Sequence, residues 1–376
     1  MAAQFQIFAK PAGSVCNLAC SYCYYLGKKA LYPGAPSFRM SVEVLENYII
    51  QHIQASDSNT IMFSWHGGEP MLAGLNFFRK VVKLQNRYKP SGKSIINGIQ
   101  TNGTLLNDSW CGFFADGNFI TGISLDGPEE YHNRFRNDPA GIPSFKKVLN
   151  GLELLNKYQI THEILCVVSS FNSRNPLEIY RFFRQLGIRF VTFLPLVTRL
   201  PGSDTSVSSE SVGPEDFGNF LTEIFDDWLA NDIGKIKIQI IEEALRAAFS
   251  QDHTMCIFKE NCGRVPVVEF NGDFYSCDHY VDGEHLIGNI MEGRLEDFLE
   301  SEKQVSFGRM KYSALPKFCL ICEVRKMCNG ECPKNRFIRT PDGKEGLNYL
   351  CSGYRKFFNH CLPFVESVAG VWGNRK

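Results

Sequence analysis

Two things this chain lacks narrow the field first. It has no excess of either charge: 40 Lys+Arg stand against 40 Asp+Glu over 376 residues. No overall positive field therefore points to nucleic acid or an anionic membrane as partner. Nor is there a long apolar run. No stretch approaches the roughly 20 apolar residues of a membrane span. Residues 1–10 carry neither an apolar core before Lys10 nor a cleavage-site pattern, which argues against a secretion signal and makes the cytoplasm the expected compartment. Internal repeats and low-complexity tracts are also missing, and the Ser-rich stretch 203–211 reads as a linker. What is present, 44% hydrophobic and 13% aromatic residues, suffices for one large domain and a smaller one.

Cysteine, by contrast, is plentiful. Fourteen cysteines without a secretion signal argue against a disulfide framework, because a reducing compartment keeps such pairs open. Clustered cysteines there mean metal. The first group is Cys16-Asn17-Leu18-Ala19-Cys20-Ser21-Tyr22-Cys23. Iron–sulfur clusters normally take four cysteines, so three in one short loop would leave one iron open to a small molecule. The alternative is zinc, which closes a tetrahedron with four ligands. No fourth Cys or His follows before His52, so the cluster is favoured.

Hydrophobic periodicity and turn residues predict strands at residues 4–10, 60–65, 94–100, 119–125, 161–168 and 189–194. Helices are predicted between them, from 41 onward, near 76–88, from 108 onward, at 144–158 and 176–186, then at 214–230. Six strands alternating with helices argue for a parallel α/β architecture, whose working residues lie at the carboxyl ends of the strands. Four successive strand ends carry the cysteine loop, His66-Gly67-Gly68-Glu69-Pro70, Gln100-Thr101-Asn102-Gly103 and Ser124-Leu125-Asp126-Gly127-Pro128. That is a converging site.

The CxxxCxxC loop, with Tyr22 before its last cysteine, resembles the radical S-adenosylmethionine (SAM) superfamily. The resemblance implies a partial (β/α)6 TIM-like barrel in which the open iron chelates SAM and one electron splits the sulfonium to a 5′-deoxyadenosyl radical. It also implies that Gly67, Gly68 and Glu69 contact SAM, together with Ser124, Asp126 and Arg136. Taken alone, Asp126-Gly127 would pass for turn chemistry and Arg136 for a solvated charge. Further on, Cys262, Gly272, Cys277, Cys319, Cys322, Cys328, Cys332 and Cys351 follow a pattern that resembles the SPASM extension of radical SAM enzymes acting on peptides and proteins. Cys256 supplies an eighth thiolate, enough for two complete clusters. The resemblance divides them into Cys256, Cys262, Cys277 and Cys332 for one cluster and Cys319, Cys322, Cys328 and Cys351 for the other. A zinc ribbon would accommodate Cys319 and Cys322 but not the first loop. Domains are expected at 1–234 and 235–376. Cys111, Cys166 and Cys361 remain as buried small apolar residues.

Over nearly the whole chain, these segments and Asn271-Gly272-Asp273-Phe274-Tyr275-Ser276-Cys277-Asp278 resemble the anaerobic sulfatase-maturating enzymes. Members oxidise a Cys or Ser in a Cys/Ser-x-Pro/Ala-x-Arg motif of an unfolded sulfatase to Cα-formylglycine. The resemblance implies SAM and three 4Fe-4S clusters, one binding SAM and two auxiliary, and a low-potential donor such as flavodoxin or ferredoxin. It makes Asp278 the general base and brings Tyr25 and His66 near the substrate side chain. His66 departs from the Gln of some relatives. Two other readings stay open: a SPASM enzyme that cross-links or epimerises a ribosomal peptide, which only Asp278 and overall similarity oppose, and a non-catalytic electron carrier.

Overall fold

The structure is a computed structural model that describes residues 5–200, 202–203 and 205–373. It divides into two compact units. The first comprises residues up to Ser124, Asn133–His162 and Gly263–Gly308; the second comprises Leu125–His132, Glu163–Cys262 and Arg309 onward.

In the first unit, strands β1 (Phe8–Ala9), β2 (Thr60–Trp65), β3 (Ser94–Thr101) and β4 (Phe119–Ser124) pair in parallel in that order. The register sets Ala9 beside Trp65, Trp65 beside Ile99, and Thr101 beside Ile123. The residues that follow each strand therefore emerge along one edge. The helices fold for local reasons. Val42–Ala55 starts at Ser41, whose Oγ accepts from Val44 N at 3.1 Å, a side-chain N-cap. It buries Leu45, Tyr48 and Ile49.

The expected strand over 4–10 reduces to two ladder residues, flanked by the bonds Gln6 N to Arg264 O and Lys10 N to Val268 O, both 2.9 Å. Residue 4 lies outside the described residues. The partner is β8 (Val267–Val268), which precedes β9 (Asp273–Tyr275) and β10 (Leu286–Asn289) in chain order after the second unit's strands β5 (His162–Val168), β6 (Phe190–Pro195) and β7 (Lys237–Ile238). β8 runs parallel to β1, while β9 and β10 add antiparallel. Residues 263–308 thus pack with the amino-terminal strands, so the packing units differ from the division at 234 and 235 expected from sequence. A sheet edge, rather than order along the chain, decides membership.

In the second unit β5, β6 and β7 are parallel neighbours. Helices Pro214–Asn231 and Cys351–Gly373 cross at Gly218 and Gly353. A Cβ on Gly353 would lie 2.2 Å from Pro214 O, so only glycine permits this approach. Aromatic pairs Phe217–Tyr354 and Phe225–Phe357, with ring centroids 5.3 and 6.3 Å apart, line the same interface. The stretch 203–211 is not a linker. Arg199 and Val207 bridge antiparallel, Ser208 N donates to Thr198 O at 2.8 Å, and Ser211 Oγ accepts from Thr198 N at 3.0 Å, because serine hydroxyls supply the bonds a loop backbone needs.

Candidate active site and cluster-binding residues

The first unit gathers the cysteine loop and the turns after β1 to β3. The backbone before Cys16 lies on the Gly-Gly turn: Gly68 N donates to Gly13 O and Glu69 N to Val15 O, both at 2.9 Å. Gly67 has φ +130°, and a Cβ on Gly68 would meet Val15 O at 2.2 Å. These glycines are thus required by the run-in to the cysteine loop. Ser14 Oγ, at the same junction, is buried with no hydrogen-bond partner, so a donor is held in reserve there.

Glu69 is fully buried. Its carboxylate accepts from Met71 N at 3.0 Å, Thr101 Oγ1 at 2.9 Å and Asn102 N at 2.8 Å. It therefore ties the turn after β2 to the turn after β3. Burial pushes its carboxyl up to about 7 against those three donors. Asn102 in turn donates through Nδ2 to Asn17 Oδ1 at 2.9 Å and to Cys16 Sγ at 3.6 Å, and Asn17 Nδ2 reaches Thr104 Oγ1 at 2.8 Å. Burial pushes the Cys16 thiol up to about 12. As a ligand such a thiol must be deprotonated by the metal it binds.

The other flank of the loop is held by residues 135–137. Ala19 N donates to Asn137 O at 2.7 Å, Ser21 N to Phe135 O at 3.1 Å, and the Arg136 guanidinium lies 5.4 Å from the Tyr22 ring centroid. Arg136 is buried and so is not the solvated charge it would otherwise pass for. Ser124 Oγ accepts from Gln100 Nε2 at 3.2 Å. Asp126 belongs to the second unit, where its Oδ1 accepts from Val167 N at 2.9 Å.

Asp278 also lies in the first unit, in an ion pair with the buried ammonium of Lys10. Burial would raise its pKa, but Lys10, then His279, outweigh burial and hold the carboxyl well below the usual range. Tyr24 Oη donates to Asp278 Oδ2, and the charges of Cys23 and Cys277 both reach that hydroxyl. Tyr25, expected near the substrate, is held by other partners, though Asp278 still acts on its hydroxyl. It is buried at 2% exposure among Val267, Tyr275 and Val281, with its hydroxyl donating to Glu269 and Lys10 Nζ 4.3 Å from its ring centroid. Tyr24, half exposed, is the tyrosine on Asp278. His66 stacks on Phe8 at 3.9 Å between centroids. Burial first, and then Lys10, lower its pKa to about 3, so its ring is neutral. Sequence reasoning missed Lys10, Tyr24, Asn102 and Glu269 as site residues. Only the place of Asn102 in the Gln100-Thr101-Asn102-Gly103 turn hinted at one of them.

The second unit holds the remaining cysteines apart from Cys111 and Cys277. Cys319, Cys322, Cys328 and Cys351 line one cavity, with Phe318, Leu347 and Asn348. Burial pushes Cys328 up to about 12 and Cys351 to about 11. A cavity walled by four thiols fits a thiolate-bound cluster. Cys256, Cys262 and Cys332 surround Lys311, whose charge acts on all three. Cys111, Cys166 and Cys361 are fully buried, as expected.

The chain matches the Radical SAM superfamily over residues 11–195 and the SPASM iron-sulfur cluster-binding domain over 256–323. An α/β fold with a parallel sheet, an open-ended cysteine loop and a second cysteine-rich segment thus define a radical SAM enzyme with a SPASM extension. Over 96% of its length the chain is 43% identical to the serine-type anaerobic sulfatase-maturating enzyme of Bacteroides thetaiotaomicron, covering 90% of that protein. It is 33% identical, over 96% of its length and 98% of the relative, to the cysteine-type enzyme of Clostridium perfringens. A solved structure, native anSMEcpe with bound AdoMet and the Cp18Cys peptide, matches with a TM-score of 0.88 at 31% identity, covering 100% of both chains. The chain belongs to the family of anaerobic sulfatase-maturating enzymes.

No helix among the described residues is long and apolar enough to cross a membrane.

Proposed function

We propose that this chain oxidises the Cys or Ser of a sulfatase's Cys/Ser-x-Pro/Ala-x-Arg motif to Cα-formylglycine, using SAM and three 4Fe-4S clusters. Cys16, Cys20 and Cys23 would hold the cluster that binds SAM. Cys256, Cys262, Cys277 and Cys332 would hold one auxiliary cluster, and Cys319, Cys322, Cys328 and Cys351 the other. When bound, SAM and its cluster supply a carbon radical able to take a hydrogen atom from the substrate's β-carbon. Gly67 and Gly68 through their backbone, Ser14 through its free hydroxyl, and Ser124, Asp126 and Arg136 as a second group would orient SAM. Glu69 serves by fixing Asn102 and the turn, because its oxygens already serve protein donors.

The observation that carries this reading is Asp278, an ionised carboxylate whose partner Tyr24 lies within reach of the charge of Cys23. Loss of a hydrogen atom must be followed by loss of a proton and one electron to reach the aldehyde or thioaldehyde level, and Asp278 accepts the proton. Lys10 and Tyr24 hold that carboxylate oriented. His66, a neutral ring, lines the approach of the substrate side chain. The substrate is an unfolded sulfatase segment. The reaction runs in the cytoplasm, where flavodoxin or ferredoxin can supply low-potential electrons.

The test incubates reduced protein and SAM with a motif peptide carrying Cys or Ser. Formylglycine with stoichiometric 5′-deoxyadenosine is expected. A thioether or a D-residue would establish the peptide-maturase alternative instead. Asp278→Asn should keep SAM cleavage while product falls by about 100-fold or more, the scale of a lost general base; undiminished product would remove Asp278 from this role.

A further inference from the structure

Between Cys328 and Cys332 the backbone is left-handed at three successive residues, Asn329, Gly330 and Glu331, with φ of 45°, 70° and 51°. Side-chain-bearing residues adopt this conformation only when their surroundings impose it. Here Arg336 imposes it. Its Nε donates to Gly330 O at 2.8 Å, its Nη2 to Asn329 O at 2.9 Å and Glu331 O at 3.1 Å, and its Nη1 to Lys311 O. A Cβ on residue 330 would sit 2.7 Å from Nη2, so the glycine makes room for the guanidinium. Lys311, 1% exposed, donates through Nζ to Cys256 O at 2.9 Å and Ile257 O at 2.7 Å.

Among the described residues neither cation forms an ion pair with a carboxylate; their hydrogen bonds go to carbonyls. Lys311 is buried and Arg336 half-buried, and a cation so withdrawn from water is costly unless negative charge answers it. The groups within reach are thiols and, for Arg336, also the buried carboxylate of Glu331. Lys311 acts on Cys256, Cys262 and Cys332. Arg336 acts on Cys262 and also on Cys319 and Cys328, so its charge spans both expected ligand sets.

We propose that Lys311 and Arg336 are positioning residues that tune the two carboxyl-terminal clusters as electron acceptors, Lys311 for one and Arg336 for both. The proposal rests on the ligand assignment and the oxidation proposed above. That oxidation leaves a proton, for Asp278, and one electron, for which the auxiliary clusters would be the acceptors. A four-thiolate cluster gains one negative charge on reduction, so a nearby buried cation stabilises the reduced form more than the oxidised one.

The experiment is an EPR-monitored redox titration of the reconstituted full chain carrying Cys16→Ala, Cys20→Ala and Cys23→Ala, in which only these clusters report. Arg336→Gln should move both midpoint potentials negative by about tenfold in the reduction equilibrium, which is about 59 mV for one electron. Lys311→Met should move one, and Arg336→Lys, which retains the charge, should restore most of the shift. A merely structural role would alter cluster loading without tracking charge in this way. Unshifted potentials in fully loaded Lys311→Met and Arg336→Gln would overturn the proposal; if Arg336→Gln does not load, an unshifted Lys311→Met overturns it alone. An iron count well below about eight in the parent chain would instead overturn the ligand assignment, and the proposal with it.

Discussion

The two cysteine regions are built on opposite plans. Around Cys16, Cys20 and Cys23 the protein supplies three thiols in one short loop, met chiefly by neutral groups, Asn102 and Asn17 beside Cys16, with one cation, Arg136, over Tyr22. In the second unit it supplies thiols from distant segments and places two cations among them, the buried Lys311 and the half-buried Arg336. An under-ligated centre must keep room and hydrogen-bonding groups for a co-substrate, whereas a saturated centre has no open iron and answers only to the field around it. The difference between polar cage and cationic clamp is the difference between a site that binds and a site that stores charge.

The largest effect should come from removing one plan while sparing the other. Replacing Cys16, Cys20 and Cys23 together with alanine should abolish SAM cleavage and lower iron from about twelve to about eight atoms per chain, measured by deoxyadenosine formation and iron assay. Residual cleavage at wild-type rate would erase the distinction between the regions. Gly68→Ala and Gly353→Ala sharpen it further, because an added Cβ would lie 2.2 Å from a carbonyl oxygen in both, Val15 O in the first unit and Pro214 O in the second. Overpacking of this kind costs about 1–3 kcal/mol. Gly68→Ala should cut SAM affinity at least tenfold with a small change in Tm. Gly353→Ala should lower Tm by several degrees and loosen the helix that begins at Cys351. Equal effects of the two on both measurements would break the comparison.

What could be read from the sequence follows from how local each feature is. The cysteine loop and the turns after β2 to β4 are contiguous motifs, and β2 to β6 fall within one or two residues of their expected limits because alternation and flanking turn residues mark them. The strands β7 to β10, two to four residues each, are too short to show a period. The pairing of β8 with β1 spans more than 250 positions, which no local pattern reveals, so the packing units differ from a division at 234 and 235. The same holds for side chains. Lys10 meets Asp278, and Tyr24 rather than Tyr25 reaches it, through contacts closed only by that long-range pairing. Adjacent tyrosines with one composition and one neighbourhood in sequence point to different partners, and no spacing rule separates them.

The smallest expected effect tests whether the polar side of this comparison titrates. His66 is held to about 3 by burial and Lys10, below its ordinary value near 6.5. Between those values the unfolded chain binds a proton that the folded chain refuses, so stability falls as pH drops below about 6.5. Glu269, raised to about 7 chiefly by burial, works in the other direction: between about 4.5 and 7 the folded chain holds the extra proton, and stability falls as pH rises through that range. Glu69, also raised to about 7 by burial, adds to the Glu269 slope, and His52, lowered to about 3 by burial, adds to that of His66, so the opposed slopes leave Tm nearly flat from pH 5 to 7. His66→Gln removes one slope and should leave a Tm that falls by a few degrees as pH rises over the same interval, while Glu269→Gln should reverse the sign. Because the His66 ring is already neutral, His66→Gln should leave the pH dependence of formylglycine formation above pH 5 unchanged. A lost or shifted inflection near 6.5 would mean that this ring carries a proton during the reaction.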